Sequence, residues 1–476
     1  MNSKLSALAK DTAIYGLSSI VGRFLNYLLV PLYTHYMPKA SGDYGVSTNM
    51  YAYTALFFAI LTFGMETTLF RFANDEREQP DTVFSTGFAM VGTLSALFLL
   101  LVFGFITPIA SYLGYAEHPE YLLMMAAVVA LDALQALPFC YLRFQHRPIR
   151  FMSLKMLFIF LNIGLNLLYF VVLGKTSVFY VFFINLLCTG FITFFFIPDL
   201  IKVRWKFDSA LQKRMLSYSW PILLLSIVGI LNQVADKILF PKVYPDEAQA
   251  NVELGVYGSC VKIAMIMALI TQAFRYAYEP IVFSKAKDAD KTEYYALGMK
   301  YFVIFTLLAF LCVMGWLPVL RYMIGSDYWE GLRVIPIVMA AEIMMGIYFN
   351  LSFWYKLIDK TYFGALFALA GCVVLLAINL WGIPRYSYMA CAWGGVGGYG
   401  TAMLLSYFVG QKYYPIPYPI VQLAGYTAIT AVFYYLMTLV PSEWPEWQYV
   451  TLSTVLILAF AGLIYWRELA PAHKTH

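Results

Sequence analysis

Eleven charged side chains stand inside stretches that are otherwise apolar: Arg23, Glu66, Asp132, Lys155, Asp236, Lys237, Lys262, Arg275, Glu279, Arg333 and Glu342. A charge at membrane depth is costly unless it faces water or a partner, so each one asks for a reason. Arg23 lies near Asn26 in the first apolar stretch, while Lys262 and Arg275 share the eighth, thirteen residues apart. On a straight helix that spacing is about 20 Å of rise, which would line one helix with cations at two depths. Deep cations of this kind suit a travelling anion such as a phosphate. Two simpler readings stay open: Arg275 and Glu279 have the (i, i+4) spacing of a local ion pair, and Arg23 and Lys262 could answer to Asp132 or Asp236. Asp236 and Lys237 are adjacent, about 100° apart around a helix, and are not expected to neutralise each other. Glu66, Arg71, Lys155 and Arg333 fall near expected span ends, where headgroup anchoring is the default role.

The surrounding chain decides the solvent. Of 476 residues, 61% are apolar and only 12% charged, about half the charge of an ordinary soluble domain. Apolar runs such as 86–106, 154–173 and 450–465 approach or reach the roughly 20 residues a helix needs to cross hydrocarbon. The pattern predicts an all-α polytopic membrane protein of about fourteen spans. These fall at 11–36, 44–72, 82–111, 119–142, 151–173, 177–198, 216–240, 254–283, 294–318, 330–356, 361–383, 386–410, 418–440 and 447–466. With a cytoplasmic amino terminus, one set of connections carries twenty-one Lys and Arg, and the opposite set only Lys39, Lys175, Lys242, Arg321 and Arg385. That asymmetry predicts both termini on the cytoplasmic side. No cleavable leader is recognisable, so the first span is expected to act as its own insertion signal. The six cysteines are isolated within or beside spans and read as small core residues. Tyr and Phe each number 38, and tyrosines near span ends suit the membrane interface.

The longest basic connection, Asp199–Met215, suggests a boundary between halves. Ser19-Ile20-Val21-Gly22 recurs as Ser226-Ile227-Val228-Gly229, and Asp43-Tyr44-Gly45-Val46 is echoed by Glu253-Leu254-Gly255-Val256 at nearly the same offset. Six spans per copy predict two lobes related by an axis along the membrane normal, here residues 1–200 and 201–411, followed by two further helices in 412–476. Gly394-Gly395-Val396-Gly397-Gly398 lies within a span and is read as permitting close helix packing. No P-loop, GxSxG or HExxH occurs, and the five histidines sit near span ends or in the tail, so the chain is not expected to be an enzyme. The Asn350-Leu351-Ser352 sequon is discounted because it lies in a span, and no connection is long enough for the large external loop of glycan polymerases and ligases.

Several ordered motifs resemble the polysaccharide and O-antigen flippases of the multidrug, oligosaccharidyl-lipid and polysaccharide exporter superfamily. They are Lys10-Asp11-Thr12-Ala13-Ile14-Tyr15-Gly16 with Pro31-Leu32-Tyr33-Thr34, and Ser219-Trp220-Pro221-Ile222 leading to Asn232-Gln233-Val234-Ala235-Asp236-Lys237. Gly255-Val256-Tyr257-Gly258, Tyr278-Glu279-Pro280, and Asn379 five residues before Pro384 complete the set; Tyr386, Ser387 and Tyr388 depart from the small Gly-containing turn more usual there. The resemblance spans essentially the whole chain. It implies alternating-access transfer of an undecaprenyl-diphosphate-linked oligosaccharide from the cytoplasmic to the periplasmic leaflet of a bacterial inner membrane. Carried over by position, it assigns Arg23, Lys262 and Arg275 to the diphosphate, and Asp236 with Asn379 to a coupling cation. No cofactor is implied beyond a sodium ion or proton, and the partners implied are the glycan lipid, membrane lipids and other polysaccharide-assembly membrane proteins, with no nucleic acid. The competing expectations are a multidrug or cation antiporter of the same superfamily, a lipid II flippase, and a membrane glycan polymerase or ligase.

Overall fold

In the computed structural model the described residues are 27–284, 291–441 and 444–469, and among them every regular element is a helix. Arg23 and the Ser19–Gly22 repeat lie outside the described residues. The first unit, Met1–Gly255, contains α1 (Leu29–Tyr36), α2 (Asp43–Thr62), α3 (Met65–Ala73), α4 (Pro80–Gly104), α5 (Ile106–Leu113), α6 (Pro119–Phe144), α7 (Pro148–Leu167), α8 (Val178–Phe195) and α9 (Ser209–Val243). α10 (Glu247–Ala264) opens in that unit. The second unit, Val256–His476, contains α11 (Ile266–Ser284), α12 (Lys291–Gly315), α13 (Ile335–Leu351), α14 (Tyr362–Tyr386), α15 (Met389–Tyr413), α16 (Ile420–Thr438) and α17 (Glu446–Ile464).

Eleven described helices are long and apolar enough to cross a membrane, twelve when the bent pair α10 and α11 counts as one span. α15 is as long, at 25 residues, but its run of glycines makes it less apolar. The first expected span lies mostly outside the described residues. The chain is therefore an all-α, multi-pass membrane protein, with apolar residues such as Phe103, Phe160 and Val421 exposed on helix faces as lipid requires.

Local sequence explains where the helices start and stop. Proline opens α4, α6 and α7 at the first turn, where its missing N–H costs nothing. Asp208 caps α9 by accepting from the Ala210 and Leu211 amides at 2.8 and 3.0 Å. α2 and α3 separate at Phe63 and Gly64, both in the left-handed region at φ +50° and +67°.

Packing gives a different division from the repeat. The repeat places a boundary near Asp199–Met215, whereas contacts divide the chain after Gly255, because α9 runs along α2 and also touches α3 and α4. One core of the first unit joins Leu61, Met65, Phe84, Leu137, Leu211 and Met215. Small residues let these backbones approach: a Cβ on Gly45 would lie 1.7 Å from the Asn251 carbonyl oxygen. In the second unit a Cβ on Gly371 of α14 would lie 2.5 Å from the Gly398 carbonyl oxygen of α15, the close approach that the glycine run permits.

Candidate functional site

The charges expected to handle substrate are held in two contrasting ways. In the second unit, Lys262 stands half-buried in the last turn of α10, and Arg275 lies on α11 with its side chain 46% exposed. Read as one straight helix, the two would share an axis. The chain instead breaks at Met265 and the two segments diverge by 40°, so the two cations do not share one helix axis. Neither proline nor glycine marks the break.

Arg275 keeps the local pair that its spacing allows: Nε lies 3.8 Å from Glu279 Oε2. Sequence reasoning missed the third member. Lys356, on the short helix Phe353–Leu357, places Nζ 2.9 Å from Glu279 Oε1. Phe349 of α13 lies under the Arg275 guanidinium at 5.0 Å, and Phe353 lies 5.3 Å from the Lys356 ammonium. One carboxylate thus shares two cations, leaving the cluster with a formal surplus of one positive charge beside aromatic surface. Its only signal in the sequence was a basic residue at a span end.

In the first unit, Asp236 overturns an expectation. Lys237 Nζ reaches both of its carboxylate oxygens, at 3.0 and 2.9 Å, and also donates to the Gln233 carbonyl at 3.1 Å. Helical geometry separates adjacent Cβ directions, but a lysine has four methylenes with which to curl back across about 3.8 Å between neighbouring Cα atoms. Asn49 of α2 donates to the Lys237 carbonyl at 2.7 Å and accepts from the Tyr115 hydroxyl at 2.8 Å. The pair is therefore built into the α2–α9 contact.

Asn379 of α14 is fully buried, and neither its Oδ1 nor its Nδ2 has a hydrogen-bond partner among the described residues. A buried amide left unmatched costs about 1–3 kcal/mol for each group. Gly394 of α15 faces it, and a Cβ there would lie 2.7 Å from Oδ1.

The four expected headgroup anchors each have a protein partner. Glu66 lies 3.8 Å from Arg143, Arg71 stacks 4.0 Å over Tyr218, Lys155 lies 4.0 Å over Phe139, and Arg333 donates to the Tyr388 hydroxyl at 2.7 Å. Aromatic rings, abundant in this chain, accept cations that sequence spacing assigned to lipid. Among the described residues no group of three or more His, Cys, Asp or Glu side chains could hold a metal.

Residues 40–332 match the family described as "Polysaccharide biosynthesis protein". The fold is similar to a structure of the lipid II flippase MurJ in an inward-closed conformation, with a TM-score of 0.76 and 15% identity, covering 94% of this chain and 98% of that one. An inward-facing multidrug resistance MATE transporter is similar at TM-score 0.68 and 14% identity, covering 82% and 94%. Its outward-facing counterpart is similar at TM-score 0.60 and 13% identity, covering 85% and 94%. At these identities the likeness is one of fold. No curated protein sequence matches the chain.

Proposed function

Because the chain belongs to the polysaccharide biosynthesis protein family, we propose that it is a flippase for a lipid-linked oligosaccharide, and that it is a transporter with no catalytic step of its own. The substrate is an undecaprenyl-diphosphate-linked glycan of an O-antigen, capsule or exopolysaccharide route, carried from the cytoplasmic to the periplasmic leaflet of a bacterial inner membrane. Both termini lie in the cytoplasm on this reading.

The observation that carries it is the surplus positive charge of Arg275, Glu279 and Lys356. A diphosphate leaving water needs cations to offset its desolvation, and a bidentate guanidinium beside a mobile ammonium offers them. Glu279 keeps those cations in place while the site is empty and shares them when phosphate arrives. Lys262 is assigned to the same anion, and Arg23, outside the described residues, keeps its assignment to the diphosphate by resemblance. The rival reading, an exporter of cationic amphiphiles, draws on the likeness to multidrug transporters. Two cations per carboxylate would repel such a cargo.

For coupling, we assign a sodium ion or proton to Asp236, and name Asn379 separately as a group that a sodium ion would complete. Support comes from the unmatched buried amide, since a cation at Oδ1 would supply what the protein leaves out. Asp236 has to loosen from Lys237 to take part.

The test is transfer of a fluorescent undecaprenyl-diphosphate oligosaccharide across proteoliposomes, read by access of a membrane-impermeant quencher. Transfer no faster than in protein-free vesicles would sink the proposal. Transfer of lipid II but not of the oligosaccharide, or rescue of a lipid II flippase depletion strain, would move the substrate to peptidoglycan precursors.

A further inference from the structure

Beside the connection between α8 and α9, the first unit holds a cavity of about 300 Å³ that the transport reading does not use. It opens where α2 and α3 separate at Phe63 and Gly64, and α4 closes it with Met90, Leu94 and Leu97. Phe207, Gln212 and Leu216 complete its rim. The walls are almost wholly apolar, and the volume is at the lower end of the range that takes small ligands, roughly 300–1,000 Å³. A slot of that size and lining fits one hydrocarbon chain better than a sugar or a nucleotide.

The rim has the opposite character. Lys202, Arg204, Lys206, Lys213 and Arg214 are all exposed within thirteen residues of chain, a density that attracts anionic headgroups. Just before α9, Val203 is buried and Trp205 packs against Phe84 and Phe88, while Arg204 and Lys206 are exposed. Lys213 directly follows Gln212 and Lys206 directly precedes Phe207, so an exposed cation stands next in sequence to each of two rim residues of the cavity.

The nearby acids are already committed. Asp208 caps α9, and Asp199 binds Arg147 and Arg150 at 2.7 and 3.2 Å. Asp81 accepts from Tyr141 and the Arg204 amide, and Glu78 pairs with Arg214 at 2.5 Å. Asp81 and Asp208 accept from neutral donors and keep their charge, and Glu78 offsets Arg214, so the five cations of this stretch stand against three carboxylates, a formal surplus of two.

We propose that this cavity and its rim form a binding site for one anionic phospholipid, an acyl chain in the α2–α3–α4 slot and the phosphate at Lys206 and Lys213. The lipid would brace the break between α2 and α3 against the start of α9. Such a site would tie the folded state of the first unit to the anionic lipid content of the leaflet.

The experiment uses the full chain purified in neutral detergent. Native mass spectrometry counts lipid retained from dioleoyl phosphatidylglycerol, from dioleoyl phosphatidylcholine and from glycerol 3-phosphate, and thermal melting follows each. The expected result is one phosphatidylglycerol retained per chain with a raised melting temperature, and no effect of the zwitterionic lipid or the free headgroup. Lys206→Ala and Lys213→Ala should each weaken retention about fivefold. Thr93→Trp, at an exposed lining position, should abolish it by filling the slot; Ala89→Phe repeats that test from a second lining position. Equal retention of phosphatidylcholine, an equal effect of glycerol 3-phosphate, or retention unchanged in both slot-filling variants would overturn the proposal.

Discussion

Asp236 with Lys237, and Glu279 with Arg275 and Lys356, are two ways of keeping charge in an apolar molecule. The first is closed: one carboxylate and one ammonium, 9% and 18% exposed, the ammonium also donating to the Gln233 carbonyl. The second is open: one carboxylate between two cations, with Arg275 46% exposed. A closed pair satisfies itself and holds helices together, whereas an open cluster still has capacity for another anion. The difference teaches that a buried charge is no functional signal by itself. What separates structure from function is whether the local count of charges comes out even.

The largest effect expected from that comparison is on transport. Arg275→Ala combined with Lys356→Ala removes both cations and should slow transfer by about 100-fold or more, since a hydrogen bond to a charged group contributes about 1.5–3 kcal/mol. The melting temperature should hardly move. Transfer within a few-fold of the parent would break the open half of the comparison, and a collapse of the melt would show that the cluster is structural. The closed half predicts the reverse. Asp236→Ala strands a largely buried lysine and should cost about 3 kcal/mol, read from chemical or thermal unfolding in detergent. Asp236→Leu with Lys237→Met should recover most of it. Recovery of stability with altered sodium or proton dependence would give Asp236 both roles; recovery with unaltered dependence would confine it to structure.

Much of this architecture was legible because apolar stretches near 20 residues leave few alternatives. The spans predicted at 44–72, 119–142 and 294–318 appear as Asp43–Ala73, Pro119–Phe144 and Lys291–Gly315. The charges were legible as a roll of residues, but their partners were not. Spacing proposed Arg275 with Glu279 because both lie on one helix, whereas Lys356 comes from another helix 77 positions away from Glu279. Lys237 was misjudged because Cβ directions were used for a side chain long enough to ignore them. The break at Met265 was invisible, since the usual causes of a kink are absent from that residue and its neighbours. Asn379 was picked out by resemblance; that both of its polar atoms lie unmatched could come only from the packing of α14 on α15.

Asn379 sharpens the comparison further, as an uncharged group left open. Asn379→Leu removes two unmatched polar atoms from a buried site and should leave stability unchanged or raise it by about 1–3 kcal/mol. If a cation completes the amide, the same variant should lose the dependence of transport on sodium or on the pH gradient. A lowered melting temperature with coupling intact would mean that the amide has a packing role and that the cation lies elsewhere.

The smallest effect expected is at a closed group in the open air. Asp208 accepts from the Leu211 and Ala210 amides at the start of α9, and those hydrogen bonds hold its carboxyl below the usual carboxylate range. A depressed folded pKa means that the stabilisation is present above the unfolded value of about 3.9 and is lost as pH falls through the folded one. Asp208→Asn keeps a capping side chain without the charge, so it should lower the melting temperature slightly at pH 7 and not at all in strong acid. A difference between the two proteins that persists unchanged below the folded pKa would show that the charge is not what the cap contributes. Set beside Asp236→Ala, the pair of melts measures how much of a settled carboxylate's worth comes from burial and how much from its hydrogen bonds.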